Sequence, residues 1–277
     1  MDLYNQTSYK ISKVITKDYS TSFSLGIRML DKKFHDPIFA IYGFVRLADE
    51  IVDTFHHCDQ TEMLRKFITD TDDALTCKVS TNPVLNAFQD VVHRYAIERT
   101  HISSFFRSME MDLSEKKHEH SSYSEYIYGS AEVVGLMCLH VFCENNAQLY
   151  NQLLVPARKL GSALQKINFL RDMKSDFSER GRIYFPGVDF NSFNAEMKLK
   201  IEADIQADLN ESIPGIKALP KGARLGVTVA YIYYLALFRK IKMSSANSLQ
   251  QNRIRVPDYL KIILLIKTWL RYQLNLI

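Results

Sequence analysis

Glycine and proline are scarce, 10 and 7 among 277 residues, about 6% together where ordinary chains carry roughly 12%. So few breakers in a long chain argue against many short strands and turns and favour long helices. The four cysteines, Cys58, Cys77, Cys138 and Cys143, form no CxxC pair and match no zinc spacing. They read as reduced intracellular thiols, mostly in the core. The opening MDLYNQTSYK has no apolar h-region, which argues against a secretory signal and for a cytoplasmic protein. No uncharged apolar run reaches about 18 residues, so a spanning helix is not expected. The stretches near Ile262–Ile266 and Val227–Phe238 are too short or too interrupted. No dense Lys/Arg tract interleaves with aromatics, so nucleic acid is not an expected partner. Repeats, low-complexity segments and linkers are missing too, and residues 1–277 read as one domain.

What is present points to helices with a large interior. Hydrophobic residues make up 47%, enough for a sizeable core. The net charge of +4 suits anionic partners such as diphosphates or an acidic lipid surface; an ordinary solvated surface explains it equally. The Ser20–Ser24 stretch has the composition of a helix cap. Helices are expected over Pro37–Phe55, Pro83–Arg99, Tyr126–Phe142, Pro156–Asp176, Leu219–Met243 and Tyr259–Leu274, from their apolar periodicity. Glu115–Ser124 reads as a loop, and Asn191–Asn210 as a polar helix on the surface. The last helix is amphipathic and basic, with Lys261, Lys267 and Arg271 beside Ile262, Leu265 and Trp269. It suits either a membrane surface or packing on the core.

Two segments carry chemistry. One reads Arg46-Leu-Ala-Asp49-Glu50-Ile-Val-Asp53, the other Gln165-Lys-Ile-Asn168-Phe-Leu-Arg171-Asp172-Met-Lys-Ser-Asp176. Each is a DxxxD on a helical pattern, which puts two carboxylates on one face, about 5–6 Å apart at Cβ. Like charges so placed, beside Ile51 and Val52 or Phe169 and Leu170, are unfavourable unless a cation compensates. A lone DxxxD is commonly a solvated face; two, each with an arginine nearby and each in an apolar stripe, are not commonly so. Magnesium takes one or two carboxylates plus substrate phosphates, so two such helices facing one cavity could hold magnesium against a diphosphate. Arg46 and Arg171 suit bidentate contact with a diphosphate, or neutralise the neighbouring acids. A third segment, Tyr126-Ile-Tyr128-Gly129-Ser130-Ala131-Glu132-Val133-Val134-Gly135, is rich in small residues. It suits close approach of a substrate chain or simply of another helix. His56-His57 and His118-Glu-His120 show no complete ligand set and read as surface residues.

With these segments in order, the chain resembles the squalene/phytoene synthase family of head-to-head prenyl transferases. The matching stretches are RLADEIVD (46–53), YIYGSAEVVG (126–135), GSALQKINFLRDMKSD (161–176) and GRIYFP (181–186), and the resemblance covers nearly the whole chain. It implies an all-α, isoprenoid synthase-type bundle around a hydrophobic cavity. It implies metal binding by Asp49, Asp53, Asp172 and Asp176, with Asn168 beside them, for magnesium or, in its place, manganese. Diphosphate contacts fall on Arg46 and Arg171, the active-site tyrosine on Tyr126, and the helix-face amides on Gln165 and Asn168. Ser20, Thr21 and Ser22 match the phosphate-contacting N-terminal stretch, and late substrate contacts fall on Tyr234 and Arg253. The implied reaction joins two prenyl diphosphates through a cyclopropyl diphosphate. The phytoene branch, in carotenoid biosynthesis, uses geranylgeranyl diphosphate and no nicotinamide. Dehydrosqualene or squalene synthesis from farnesyl diphosphate is the alternative within the family. A non-catalytic assembly or lipid-binding role is the alternative from another class, although such a protein is expected to have lost acidic motif residues. One departure is Ser130-Ala131-Glu132, where the family often has Val-Ala-Gly. Glu132 either adds an acid near the cavity or turns outward. The hydrophobic C-terminal anchor of eukaryotic squalene synthases is missing, which favours a bacterial, peripheral enzyme.

Overall fold

The computed structural model describes residues 2–114 and 119–274, and among these the elements are helices, with no strand. In chain order they are α1 (Leu3–Tyr19), α2 (Thr21–Arg28), α3 (Lys32–Asp53), α4 (Gln60–Cys77), α5 (Pro83–Arg94), α6 (Arg99–Ser114), α7 (His120–Ile127), α8 (Val133–Cys143), α9 (Ala147–Arg180), α10 (Ala195–Ala218), α11 (Lys221–Met243), α12 (Ala246–Gln251) and α13 (Asp258–Gln273). A π-helical turn, Tyr128–Glu132, joins α7 to α8.

The helix starts follow local chemistry. Ser20, Asp59, Asn82, Asn146 and Asn194 each accept a hydrogen bond from a first-turn backbone N–H of α2, α4, α5, α9 and α10. That satisfies donors which the helix itself leaves open. Gly181 closes α9 in the left-handed region, at φ 67°, where an L side chain would be strained.

Prolines mislead the helix boundaries. The helix expected from Pro37 begins at Lys32, and the one expected from Pro156 begins at Ala147, so both prolines lie inside their helices. An interior proline forfeits one backbone bond at a cost of about 3 kcal/mol. Packing outweighs that here: Pro156 nests against Gly215, where a Cβ would come within 2.4 Å of the proline ring. The helix expected over Pro83–Arg99 stops at Arg94, before a turn in which Ala96 has φ 49°. The loop expected over Glu115–Ser124 lies partly outside the described residues. Its second half is already helix α7, capped by Glu119 and Ser122.

Two hydrophobic clusters fill the interior. One gathers Phe34, Phe44, Phe88 and Phe105 with residues of α8, and the other joins α7, α9, α10 and α11 through Phe169, Leu170, Leu209 and Phe238. Phe44 stacks on Phe88 at 3.8 Å between ring centroids. The segment expected on the surface, Asn191–Asn210, is not solvated all round, because α10 packs along α9. Asp208, with a side chain 4% exposed, takes Lys159 at 3.0 Å, Lys166 at 2.7 Å and Ser162 at 2.8 Å. Burial alone would raise the Asp208 carboxyl, but the hydrogen bonds from Lys166 and Lys159 hold it low. Polar composition at that site marks a buried ion-pair network instead of water.

The cysteines depart from expectation as well. Cys143 is buried and Cys138 partly so, while Cys58 and Cys77 are exposed. Cys58 sits in the turn between α3 and α4, and Cys77 is the last residue of α4. By length and composition Ser121–Cys143 could cross a bilayer, yet 56% of its most apolar window is buried; it is a core helix. The π turn explains the small residues of the third segment. A Cβ on Gly129 would sit 2.3 Å from the Ser104 carbonyl oxygen of α6, and one on Gly161 would sit 2.9 Å from the Ala131 carbonyl oxygen. Only glycine lets α6 and α9 close on the turn from both sides. Such turns widen a helix locally and recur at functional sites.

Candidate active site

The four aspartates of the two DxxxD segments converge. Asp49 and Asp53 on α3 and Asp172 and Asp176 on α9 line one polar cavity of about 600 Å³, together with Arg46, Gln165, Asn168, Arg171 and Arg253. Arginine links the two pairs. Arg180 lies 3.4 Å from Asp53 and 3.2 Å from Asp176. Asp172 takes Arg253 at 2.6 Å and its neighbour Arg171 at 3.0 Å. Arg46 pairs with Glu50 one turn on, and its guanidinium lies 4.3 Å over the Tyr19 ring. Without a ligand, then, these arginines neutralise acids.

Tyr126 donates to Asp112 on α6, at 2.9 Å. Asp112 also meets Arg182 at 3.3 Å, and Arg182 holds Asp53 at 2.7 Å and the carbonyls of Val52 and Asp112. Phe169, Tyr184 and Tyr126 form an aromatic wall, with Phe169 stacked on Tyr184 at 4.0 Å. Burial, then the Asp53 charge, pushes the Asp49 carboxyl up to about 7. Burial, then Asp172, does the same to Asp176. Asp112 also rises to about 7, through burial and despite Arg182. At Asp49, Asp112 and Asp176 burial thus outweighs the nearby arginines. The Asn168 side-chain oxygen is buried with no hydrogen-bond partner. An oxygen-rich donor set with an orphaned acceptor and under-compensated acids fits a hard divalent cation.

A second cavity, of about 260 Å³ and mainly apolar, abuts the first. Gln165 and Asn168 line both. Its α9 wall is one stripe, Leu153, Ala157, Leu160, Gly161, Leu164, Gln165 and Asn168, faced by Val134, Gly135, Cys138 and Phe142 of α8. Tyr234 lines this apolar cavity and not the polar one. Ser20, Thr21 and Ser22 line neither cavity. Ser20 instead caps α2, accepting from the Phe23 N–H at 3.2 Å. Glu132 does not reach into the polar cavity; it pairs with Arg158 at 2.6 Å.

Sequence reasoning missed Asp112, Arg180, Arg182 and Tyr184. Asp112 had a signal: it continues the stripe of Phe105 and Met109 at helical spacing and stands between Met111 and Leu113, an acid on an apolar face. Arg182 and Tyr184 lie inside the GRIYFP stretch, and Arg180 follows Asp176 by one helical turn.

Comparison with known proteins gives the family and the fold. The squalene/phytoene synthase model matches residues 16–259. The chain belongs to the squalene/phytoene synthase family. A 4,4'-diapophytoene synthase of Staphylococcus haemolyticus is 27% identical over 208 residues, which are 73% of this chain and 70% of that one. A 15-cis-phytoene synthase of Synechocystis is 29% identical, over 97% of this chain and 86% of the relative. In fold, the chain is similar to a dehydrosqualene synthase solved in complex with a ligand. The TM-score is 0.80 at 23% identity, over 97% of this chain and 98% of that chain. The all-α fold of the squalene/phytoene synthase family is thus the fold of this chain.

Proposed function

We propose that this member of the family is a phytoene synthase that joins two geranylgeranyl diphosphates head to head, through a cyclopropyl diphosphate, into 15-cis-phytoene. The observation that carries the reading is the junction at Gln165 and Asn168, where an acidic, arginine-rich cavity meets a narrow apolar one. A diphosphate head fits the first and a prenyl tail the second.

Chain length is supported by the span of the apolar cavity. From Asn168 to Leu153 its α9 wall runs about 22 Å, at 1.5 Å per residue. An extended chain advances about 1.2 Å per bond, the same reach as a peptide's three bonds per residue. A C20 prenyl chain, with 15 main-chain bonds, then needs about 18 Å and a C15 chain about 13 Å. The similarity to a diapophytoene synthase supports the C15 reading, which the cavity also admits with room to spare.

Asp49, Asp53, Asp172 and Asp176, with Asn168, would hold magnesium or manganese. A bound cation would stabilise negative charge on the departing diphosphate as a Lewis acid. Arg46, Arg171 and Arg253 bind the diphosphate oxygens as they exchange carboxylate partners for substrate. The apolar walls exclude water from the allylic cation, which would otherwise be quenched to an alcohol. Phe169, Tyr184 and Tyr126 present ring faces that stabilise positive charge. The second substrate's double bond attacks the cation and a proton is lost as the cyclopropane closes. A second ionisation, rearrangement and proton loss complete the triene. Two diphosphates and two protons leave, electrons balance, and no reductant is called for. Purified protein given geranylgeranyl diphosphate and magnesium, without nicotinamide, is expected to yield a C40 hydrocarbon with the mass of phytoene. A product formed only from farnesyl diphosphate would replace this reading with dehydrosqualene synthesis, and no diphosphate release from either substrate would sink both.

Cation binding should also show in stability. The raised Asp49, Asp112 and Asp176 carboxyls hold protons in the fold that the unfolded chain releases near pH 4. Their stabilising share is therefore complete below pH 4 and is lost as pH rises through about 7. Magnesium held by Asp49 and Asp176 must displace the protons of those two carboxyls, so it should raise the melting temperature by several degrees at pH 8 and hardly at all at pH 5. Equal shifts at both values would count against carboxylate ligation.

The lipid-like substrate is expected to arrive from a membrane surface. Helix α13 exposes Tyr259, Ile262, Ile263, Ile266, Trp269 and Leu270, flanked by exposed Lys267 and Arg271. Apolar area beside cations suits an anionic bilayer. Sedimentation with vesicles containing anionic lipid should carry the protein down, and Ile263→Asp with Ile266→Asp should release it. No co-sedimentation of the unsubstituted protein would rule the surface out.

A further inference from the structure

Five buried side-chain atoms among the described residues have no hydrogen-bond partner: Arg46 Nε, Asn168 Oδ1, Arg180 Nε, His101 Nδ1 and His140 Nε2. The first three line the polar cavity. The other two belong together elsewhere. His101, in the first turn of α6, and His140, in the last turn of α8, have ring centroids 5.8 Å apart. Glu98, one helical turn before His101, brings a carboxylate oxygen to the same point, and the three ligand atoms lie within 4.8 Å of one another. The histidines that stand out in the sequence, His56 and His57, lie outside this cluster, and His118 lies outside the described residues. Only folding brings Glu98, His101 and His140 together.

We propose that Glu98, His101 Nδ1 and His140 Nε2 form a zinc site, separate from the carboxylate cavity, that clasps the start of α6 to the end of α8. His101 is 95% buried, its relative exposure being 5%, and its Nδ1 is buried without a partner, which carries a cost. The opposite nitrogen of His101 is already engaged, as in zinc-bound imidazoles of known sites. His101 Nε2 lies 2.9 Å from the Tyr150 hydroxyl, and the Tyr95 backbone lies near His140. The Tyr150 ring also packs on His140 at 4.1 Å. With His101 Nε2–H donating to the Tyr150 oxygen, Nδ1 keeps a lone pair for a metal.

Two imidazoles and one carboxylate, with water completing a tetrahedron, match zinc and not magnesium, which prefers all-oxygen surroundings. Bonds of about 2.0–2.1 Å would bring the ligand atoms to about 3.4 Å from one another. Glu98 is the exposed member of the three, which gives the ion an entry path. The site stands behind the far end of the apolar cavity: His140 lies between Leu139 and Phe142, and Tyr150 lies one turn before Leu153, all three of which line that end. A clasp there would fix the end of α8 against α6 and, through Tyr150, against the start of α9.

Cobalt, with visible bands that are strong in four-coordinate nitrogen/oxygen sites and weak in octahedral oxygen sites, is the probe. Metal-stripped full-length protein titrated with cobalt should show those bands saturating at one equivalent. Zinc should bleach them and raise the melting temperature. Asp172→Asn, which damages only the carboxylate cavity, should keep the bands. His140→Gln should lose them, and Glu98→Gln, at an exposed position that leaves folding intact, should weaken zinc about tenfold or more. Tyr150→Phe should also cost about tenfold as a positioning change. Absence of the bands in unsubstituted protein, or equal bands in His140→Gln and Glu98→Gln, would overturn the site.

Discussion

Asp172→Asn and Asp49→Asn are each expected to cut turnover at least about a hundredfold, the scale of losing a preorganised electrostatic group, while the helical circular dichroism stays unchanged. The amide keeps the shape of the carboxylate but donates where a cation must be received. Asp172 shows why the effect should be large. It anchors Arg171 and Arg253 together, so its loss removes a cavity-lining oxygen proposed to bind the cation and also releases two guanidinium groups from the positions a diphosphate would meet. The Asp49 change should relieve repulsion with Asp53, so metal-free Asp49→Asn should melt no lower than the unsubstituted protein even as activity collapses. That split between stability and turnover is what a metal site costs a fold, and a purely structural acid would not show it. Retained turnover in both variants would remove these residues from the chemistry.

Ala157→Phe is the second large effect expected, and it acts on chain length. Ala157 lines the apolar cavity opposite Gly135, where even a Cβ on the glycine would come within 3.6 Å of the Ala157 carbonyl oxygen. A phenyl ring there would close the cavity about 16 Å from Asn168, counting eleven residues of α9. A C15 chain of about 13 Å still fits and a C20 chain of about 18 Å does not. The kcat/KM for geranylgeranyl diphosphate should therefore fall at least about a hundredfold, in line with steric exclusion from a closed pocket. Coupling of farnesyl diphosphate should persist or rise. If both substrates lose activity equally in a folded variant, or if neither does, the cavity does not measure the chain.

The sequence makes the reactive half of the site legible and leaves its support hidden, for physical reasons. Paired aspartates at i and i+4 on apolar helices are a local conflict, readable without any tertiary knowledge, and they do line one cavity. Gln165, Asn168 and Arg253 line it with them. Asp112 and Arg182 were hidden because each is a single charge. Their meaning lies in a contact between α6 and the segment after α9, some seventy residues apart in the chain. Helix identity was read from periodicity, but boundaries at Pro37 and Pro156 were not, because proline's local cost is outweighed by packing that no local window contains. The polar face of α10 misled for the same reason: Asp208 and Lys166 look like solvated charge until α9 is laid beside them. Glu98 and His101 are the extreme case, one helical turn apart but joined to His140, some forty residues on, only in space.

A crystal structure with a geranylgeranyl thiodiphosphate, whose sulfur-bridged leaving group resists ionisation, addresses both cavities at once. The diphosphate is expected between Asp49–Asp53 and Asp172–Asp176, with metal density bridging it to those carboxylates, and the tail is expected to pass Asn168 and end near Leu153. A head group bound away from the aspartates, or a tail lying outside the α8–α9 cavity, would contradict the proposed chemistry.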